Sequence, residues 1–241
     1  MSTNLGGSTS IASQDLFTTS TTQQHVLGEK VFSPDGRAFR YVQAGAAALV
    51  PGQVVQSSAI VTNHVNLTPT ANAAVGDRTF TVTLGATAAT ANQYAGGYLV
   101  IELGTTGAGQ TLLIKSHPAA NASATLTLTL EDPFQIATSG TVTADLIANR
   151  YSAVINTPTT ATANIVGVST VAIPANAYGW IQTRGIAGVL TSGTPAAGTG
   201  VGAGTTLAGA VLVNTATLQP MGTVAKTAIT SQYTPVYLTI D

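Results

Sequence analysis

Three stretches of this chain alternate apolar and hydroxyl-bearing side chains with a period of two. Phe80, Val82 and Leu84 alternate with Thr79, Thr81 and Thr83, and Leu126, Leu128 and Leu130 with Thr125, Thr127 and Thr129. Val142, Ala144 and Leu146 alternate in the same way with Thr141, Thr143 and Asp145. Successive strand residues point to opposite faces, so each stretch has one face for a core and one face of polar, mostly β-branched side chains. Together with the shorter apolar runs this predicts about a dozen strands and no helix longer than a turn or two. The fold class read from the sequence is all-β: antiparallel β-barrel or sandwich modules with short turns, an extended N-terminal arm and a Gly-rich loop.

Turn residues divide the chain further. Ser33-Pro34-Asp35-Gly36 separates strands at 26–32 and 37–42, with Pro presetting φ and Gly closing the turn, which predicts a hairpin. Pro51-Gly52 precedes a strand expected over 53–61, and the glycine-rich stretch 104–109 joins strands at 97–103 and 110–115 in a second hairpin. Later strands are expected near 165–173, 178–184, 188–190, 207–214 and 236–240, with Ala175-Asn176-Ala177 and Arg184-Gly185 as turns. Residues 191–206, rich in Gly, Thr and Ala, read as a flexible loop. The organisation expected is an arm at 1–25, a discontinuous β domain at 26–62 plus 155–241, and a second, inserted β domain at 63–154. The arm's apolar residues Leu5, Ile11, Leu16 and Phe17 are spaced like anchors for another subunit, and Trp180 and Arg184 are further candidates for subunit contact.

Charge narrows the function classes. Charged residues are 7% of the chain, against about 25% in an ordinary soluble domain. Thr, Ser, Asn and Gln supply the polar surface instead, and such a surface costs less to cover than one bearing ions. The 8 basic and 9 acidic residues are scattered, leaving no basic cluster for nucleic acid. No apolar run approaches the ~20 residues of a membrane helix, and residues 1–13 lack the basic and apolar regions of a secretory signal. Synthesis and assembly in the cytoplasm are therefore expected.

Catalytic signatures are absent from the sequence. His25, His64 and His117 lie apart without metal-ligand spacing and read as solvated loop residues. Glu131-Asp132 would point to opposite strand faces and suits a strand end better than acid–base work. Gly200-Val201-Gly202-Ala203-Gly204 lacks the Lys-Ser/Thr of a phosphate loop and has no helix after it. No Gly-x-Ser-x-Gly elbow or calcium loop occurs, and there is no Cys. The expectation is a non-enzyme with no catalytic, cofactor-binding or metal residues.

Two stretches resemble a known group. Glu29-Lys30-Val31-Phe32-Ser33-Pro34-Asp35-Gly36-Arg37-Ala38-Phe39-Arg40-Tyr41 continues into Ala44-Gly45-Ala46-Ala47-Ala48-Leu49-Val50-Pro51-Gly52. This resembles the opening of small head-structural proteins of tailed bacteriophages, and two later runs are also similar to that group. They are Gly97-Tyr98-Leu99-Val100 with Gly109-Gln110 and Ile114-Lys115-Ser116-His117-Pro118, and Ala177-Tyr178-Gly179-Trp180-Ile181-Gln182. The resemblance implies a capsid decoration (cement) protein on the virion's capsid exterior, made in the host cytoplasm. It implies the major capsid protein as partner and self-association as a homotrimer or dimer, with no catalytic residue to carry over. The arm and the 191–206 loop have no counterpart in the resemblance. The other readings are a head-fibre, tail or tail-fibre protein, or a Thr/Gly-rich surface adhesin.

Overall fold

A computed structural model describes residues 9–10, 15–204, 206–215 and 218–241. The chain divides into two compact units, Met1–Ala59 with Arg150–Asp241, and Ile60–Asn149. Among the described residues the first unit begins with β1 (Thr9–Ser10), β2 (Lys30–Phe32), β3 (Ala38–Gln43) and β4 (Val54–Gln56). The second contains β5 (Thr79–Thr83), β6 (Tyr98–Leu103), β7 (Thr111–Ser116), β8 (Thr125–Leu130) and β9 (Thr143–Ile147). The chain then returns to the first with β10 (Ile155–Asn156), β11 (Ile165–Ser169), β12 (Tyr178–Leu190) and β13 (Gly200–Ala203). It ends in β14 (Val211–Val213), β15 (Pro220–Val224) and β16 (Tyr233–Thr239). Among the described residues helical structure is confined to the single 3-10 turns Asp15–Phe17 and Thr62–His64, so the protein is all-β, and no described helix is long and apolar enough to cross a membrane.

The second unit follows the Leu/Thr alternation directly. Its antiparallel sheet runs β5-β8-β7-β6-β9, and β5 and β8 pair Thr79 with Thr129, Thr81 with Thr127 and Thr83 with Thr125. Those threonines lie on the outer face, where Thr81 Oγ1 meets Thr127 Oγ1 at 2.9 Å, while Phe80, Val82, Leu126 and Leu128 are buried on the other. Each such buried side chain contributes ~1.5–3 kcal/mol. Segment 67–70 links the sheet's two edges: Leu67 exchanges both backbone hydrogen bonds with Ala144 on β9, Thr70 N–H donates to Thr81, and Thr83 N–H donates to Thr68. Both edge strands thus gain a partner, which removes the exposed ladder groups that invite aggregation.

The described residues of the first unit form an eleven-stranded sheet running β1-β2-β3-β12-β16-β15-β13-β14, with β11 joining β12 to β4 and β10 extending β4. The β2–β3 hairpin turns at 33–36 as its residues dictate, with Gly36 at φ +83° and Ser33 N–H bonded to Arg37 O at 2.9 Å. Its first strand begins only at Lys30, because a turn at Gly28 (φ +87°) closes with Glu29 N–H on Val26 O. The strand expected over 53–61 is limited to Val54–Gln56. Arg184-Gly185 is not a turn: it lies inside the thirteen-residue β12, just past a bulge between Gln182 and Arg184. Before the bulge β12 pairs with β3, and after it with β16. Gly185 takes φ +83° there with Arg37 packed against it, and the buried Gln182 amide donates to both Arg184 O and Ile186 O at 2.9 Å. The bend satisfies its own carbonyls, so the strand continues instead of reversing.

The glycine-rich stretch divides into a loop at 192–199 and β13, which pairs with β14 and β15. An added Cβ on Gly202 would lie 2.8 Å from Leu218 Cβ and 2.9 Å from Gln219 O, so small residues here allow backbones to approach closely.

Candidate interaction surface

The residues singled out as subunit anchors have separate fates. Leu5 and Ile11 lie outside the described residues. Leu16 is fully buried, packed with Val31, Phe39, Tyr41 and Trp180 of this chain. The Asp15–Phe17 turn sets it there, and the Ser20–Tyr178 bridge holds the following backbone against β12. Trp180 is buried with Tyr41 (ring centroids 5.0 Å) and His25 (5.1 Å) against it. Leu16 and Trp180 therefore serve this chain's own core, a correction to the subunit-contact expectation. At the start of the expected arm, Thr9–Ser10 adds in parallel to this chain's own β2. Phe17 stays partly exposed with its ring edge-on to Phe39, and Arg184 is exposed beside the bulge.

The outer face of the β12–β16–β15 region was not singled out in the sequence. Ile186 pairs directly with Tyr237, which pairs on its other side with Thr223, and all three side chains face outward. Tyr233, four pairs along from Tyr237, is 55% exposed, Tyr237 53% and Ile186 46%. Between them Gly188 faces Pro235, and a Cβ on Gly188 would meet nothing. The alternate residues, Ala187, Val189, Val236, Leu238 and Val224, form the core beneath. The result is a patch of two tyrosines, an isoleucine and a proline around a shallow gap. Tyrosine covers contact area with little rotamer entropy to lose, which suits it to such a position.

Many of the scarce charges are engaged within the chain. Asp241 accepts from Arg40 Nε (2.6 Å) and Nη2 (3.0 Å), with Lys30 Nζ at 3.3 Å. The Arg40 hydrogen bonds hold the Asp241 carboxyl below its ordinary value. Arg37 pairs with Asp35 at 2.7 Å and Lys115 with Glu131 at 3.5 Å, while Arg78 and Arg150 reach the carbonyls of Glu131 and Ile165.

Two histidines expected as solvated loop residues are buried, which corrects that reading. His64 and His117 flank Tyr94, itself fully enclosed. Tyr94 N–H donates to His117 Nε2 at 3.0 Å, and His117 Nδ1 lies 2.8 Å from Pro118 O. Tyr94 Oη contacts His64 Nδ1, and His64 Nε2 lies 2.9 Å from Thr87 O. Every polar atom of the trio faces a protein group, so the cluster is built as a structural network. No group of three or more His, Asp or Glu side chains among the described residues is placed to hold a metal ion. No protein-family model, curated protein or solved structure matches this chain.

Proposed function

We propose that this chain is a non-enzymatic virion structural protein that binds the outer surface of an assembled tailed-phage capsid and cements neighbouring major capsid subunits. The observation that carries the reading is the outward Thr223–Tyr237–Ile186 row with Tyr233, an uncharged aromatic patch on a charge-poor protein. Interface centres favour tyrosine and exclude Lys, Asp and Glu. The resemblance of residues 29–52 to head-structural proteins supports the choice of partner.

The mechanism is mass action. A protein that binds only the assembled shell stabilises it by RT ln(1 + [L]/Kd). Self-association, as a trimer or dimer, multiplies modest contacts through effective concentration.

The test is decoration of mature heads, read by bound copies per particle and by the temperature at which heads release DNA. Tyr233→Glu with Tyr237→Glu, both at exposed positions, is expected to weaken binding by about thirtyfold, the equivalent of ~2 kcal/mol at an interface centre. Thr81→Glu with Thr127→Glu on the second unit serves as the comparison and is expected to keep full occupancy. Deleting 2–14 removes Leu5 and Ile11 but spares Leu16, so it probes the arm without opening the core. Native chain with no affinity for mature heads would overturn the proposal.

A further inference from the structure

We propose that the second unit contains an acid-sensitive latch: neutral His117 ties connection 84–97 to segment 114–120, and protonation of His117 releases it. The inference does not depend on the capsid reading.

The argument begins with what each partner of His117 can do. Tyr94 N–H is a backbone donor and cannot accept, so Nε2 beside it at 3.0 Å must carry a lone pair. Pro118 O can only accept, so Nδ1, 2.8 Å away, must carry the proton. These partners select one neutral tautomer independently. An imidazolium would place a second N–H at Nε2, directed at the Tyr94 N–H. Neither donor could reorient, because one is backbone and the other belongs to a ring held by Pro118.

His64 is built differently. Its Nε2 faces Thr87 O and its Nδ1 faces a hydroxyl. If His64 gains a proton, the Tyr94 hydroxyl can rotate and accept. His117, whose partner is an amide, has no such adjustment, and the acid sensitivity belongs to it.

His117 also lies where the tie is made. Its own backbone N–H donates to Asn92 Oδ1 and its carbonyl accepts from Asn92 N–H, both at 3.0 Å. Ala89 and Ala120 exchange two backbone bonds at 2.9 Å, and Gly96 N–H reaches Ile114 O at 2.8 Å. These bonds join the same two segments, and the His117–Tyr94 bond lies among them.

The titratable groups around His117 are Tyr94, in ring contact with it, and His64, on the other side of Tyr94. Lys115, two residues earlier, is directed outward to Glu131. Burial holds the His117 imidazole below the ordinary histidine range, with proximity to His64 acting in the same direction, against a smaller opposing effect from Pro118. Burial pushes the Tyr94 hydroxyl up to about 12, so it keeps its proton throughout the relevant range. An unfolded histidine gains its proton near pH ~6.5, above the folded His117. The latch is therefore complete above about pH 6.5 and weakens as pH falls below it. Within that window, uptake of one proton shifts the opening equilibrium by at most about tenfold per pH unit.

The experiment uses the full chain between pH 8 and pH 5. Long-range 15N–1H spectra of labelled histidine report the tautomer and charge of His25, His64 and His117 separately. Hydrogen exchange, corrected for its intrinsic pH dependence, reports the amides of 89–97. The expected result is the Nδ1–H tautomer of His117 at pH 8. Opening of 89–97 should then rise as pH falls below about 6.5, by at most about tenfold per unit. His117→Gln retains an acceptor for Tyr94 N–H and cannot titrate, so its opening should not depend on pH over this range. Tyr94→Phe removes only the hydroxyl and should keep the slope. If native His117 becomes cationic while the Tyr94 amide stays protected, the latch does not exist. An unchanged slope in His117→Gln would overturn it equally, and the native spectra decide the matter if that variant fails to fold.

Discussion

The two units build their interiors by different means. In Ile60–Asn149 one continuous cluster contains Phe80, Leu99, Ile101, Ile114, Leu126, Leu128, Leu130 and Phe134 around Tyr94. The described residues of the larger unit instead divide its core into three clusters. One is mostly Val and Ala with Met221, one is Val, Ile and Ala around Leu49, and one is aromatic around Trp180. Buried Gln56, Gln182, Thr183, Thr191 and Thr234 also occur in that larger unit. The comparison shows two routes to a stable β unit: bulky side chains filling a rolled sheet, or small side chains that let strands approach while amides satisfy the backbone at the bends.

The largest effect is expected where volume does the stabilising. Phe134→Ala removes a fully buried ring that lies 5.2 Å from Phe80 and should destabilise the second unit by ~3–5 kcal/mol. Hydrogen exchange of 60–149, set beside Trp180 fluorescence for the first unit, will show whether the loss stays local. A cost below 1 kcal/mol would remove the contrast between the two cores.

An intermediate effect should follow from adding a single methyl where backbones are close. Gly202→Ala brings a Cβ to 2.8 Å from Leu218 Cβ and should cost ~1–3 kcal/mol, with faster exchange in β13 and β15. A neutral result in thermal melts would mean that close approach is not what holds this sheet.

The smallest effect belongs to the ion cluster. Asp241→Asn should cost at most ~1 kcal/mol near pH 7, since the pair is partly solvated. The folded Asp241 carboxyl is held below its unfolded value of about 3.9, so its contribution is present above that pH and lost as pH falls through the lower range. The variant should flatten only the most acidic part of the stability curve, below about pH 3.9. Urea titrations of variant and native chain at pH 7, 4 and 3 will check this.

The parts legible in the sequence are those governed by neighbours in the chain. The Leu/Thr alternation of β5 and β8 read correctly because period-two geometry is local. Ser33-Pro34-Asp35-Gly36 read correctly because Pro and Gly act on their own dihedrals. The glycine-rich connection 104–109 does join two antiparallel strands. Arg184-Gly185 was misread because the positive φ of Gly185 serves a turn or a bend inside a continuous strand, and the choice rests on whether β3 and β16 are present to continue the ladder. The glycine stretch around β13 was read as a loop for a similar reason. Small residues are conformationally costly alone and become favourable only where Leu218 and Gln219 leave no room for a side chain.

The site was less legible than the fold. Leu16 and Trp180 look like anchors in a linear reading, and nothing in the sequence says that they meet each other. Tyr233 and Tyr237 alternate with Val236 and Leu238, and both sets are apolar enough to be the inner one. The pairing of β16 with β12 placed Val236 and Leu238 over the core and left the tyrosines outside.

What the chain determined by itself was its all-β class, its aliphatic interior and its nearly uncharged surface, since alternation and composition act residue by residue. Tertiary structure alone decided which apolar face is buried, where a strand bends without ending, and that two distant histidines bracket one tyrosine. Those outcomes rest on partners 20 to 200 residues away, whose approach is set by the packing of the whole unit.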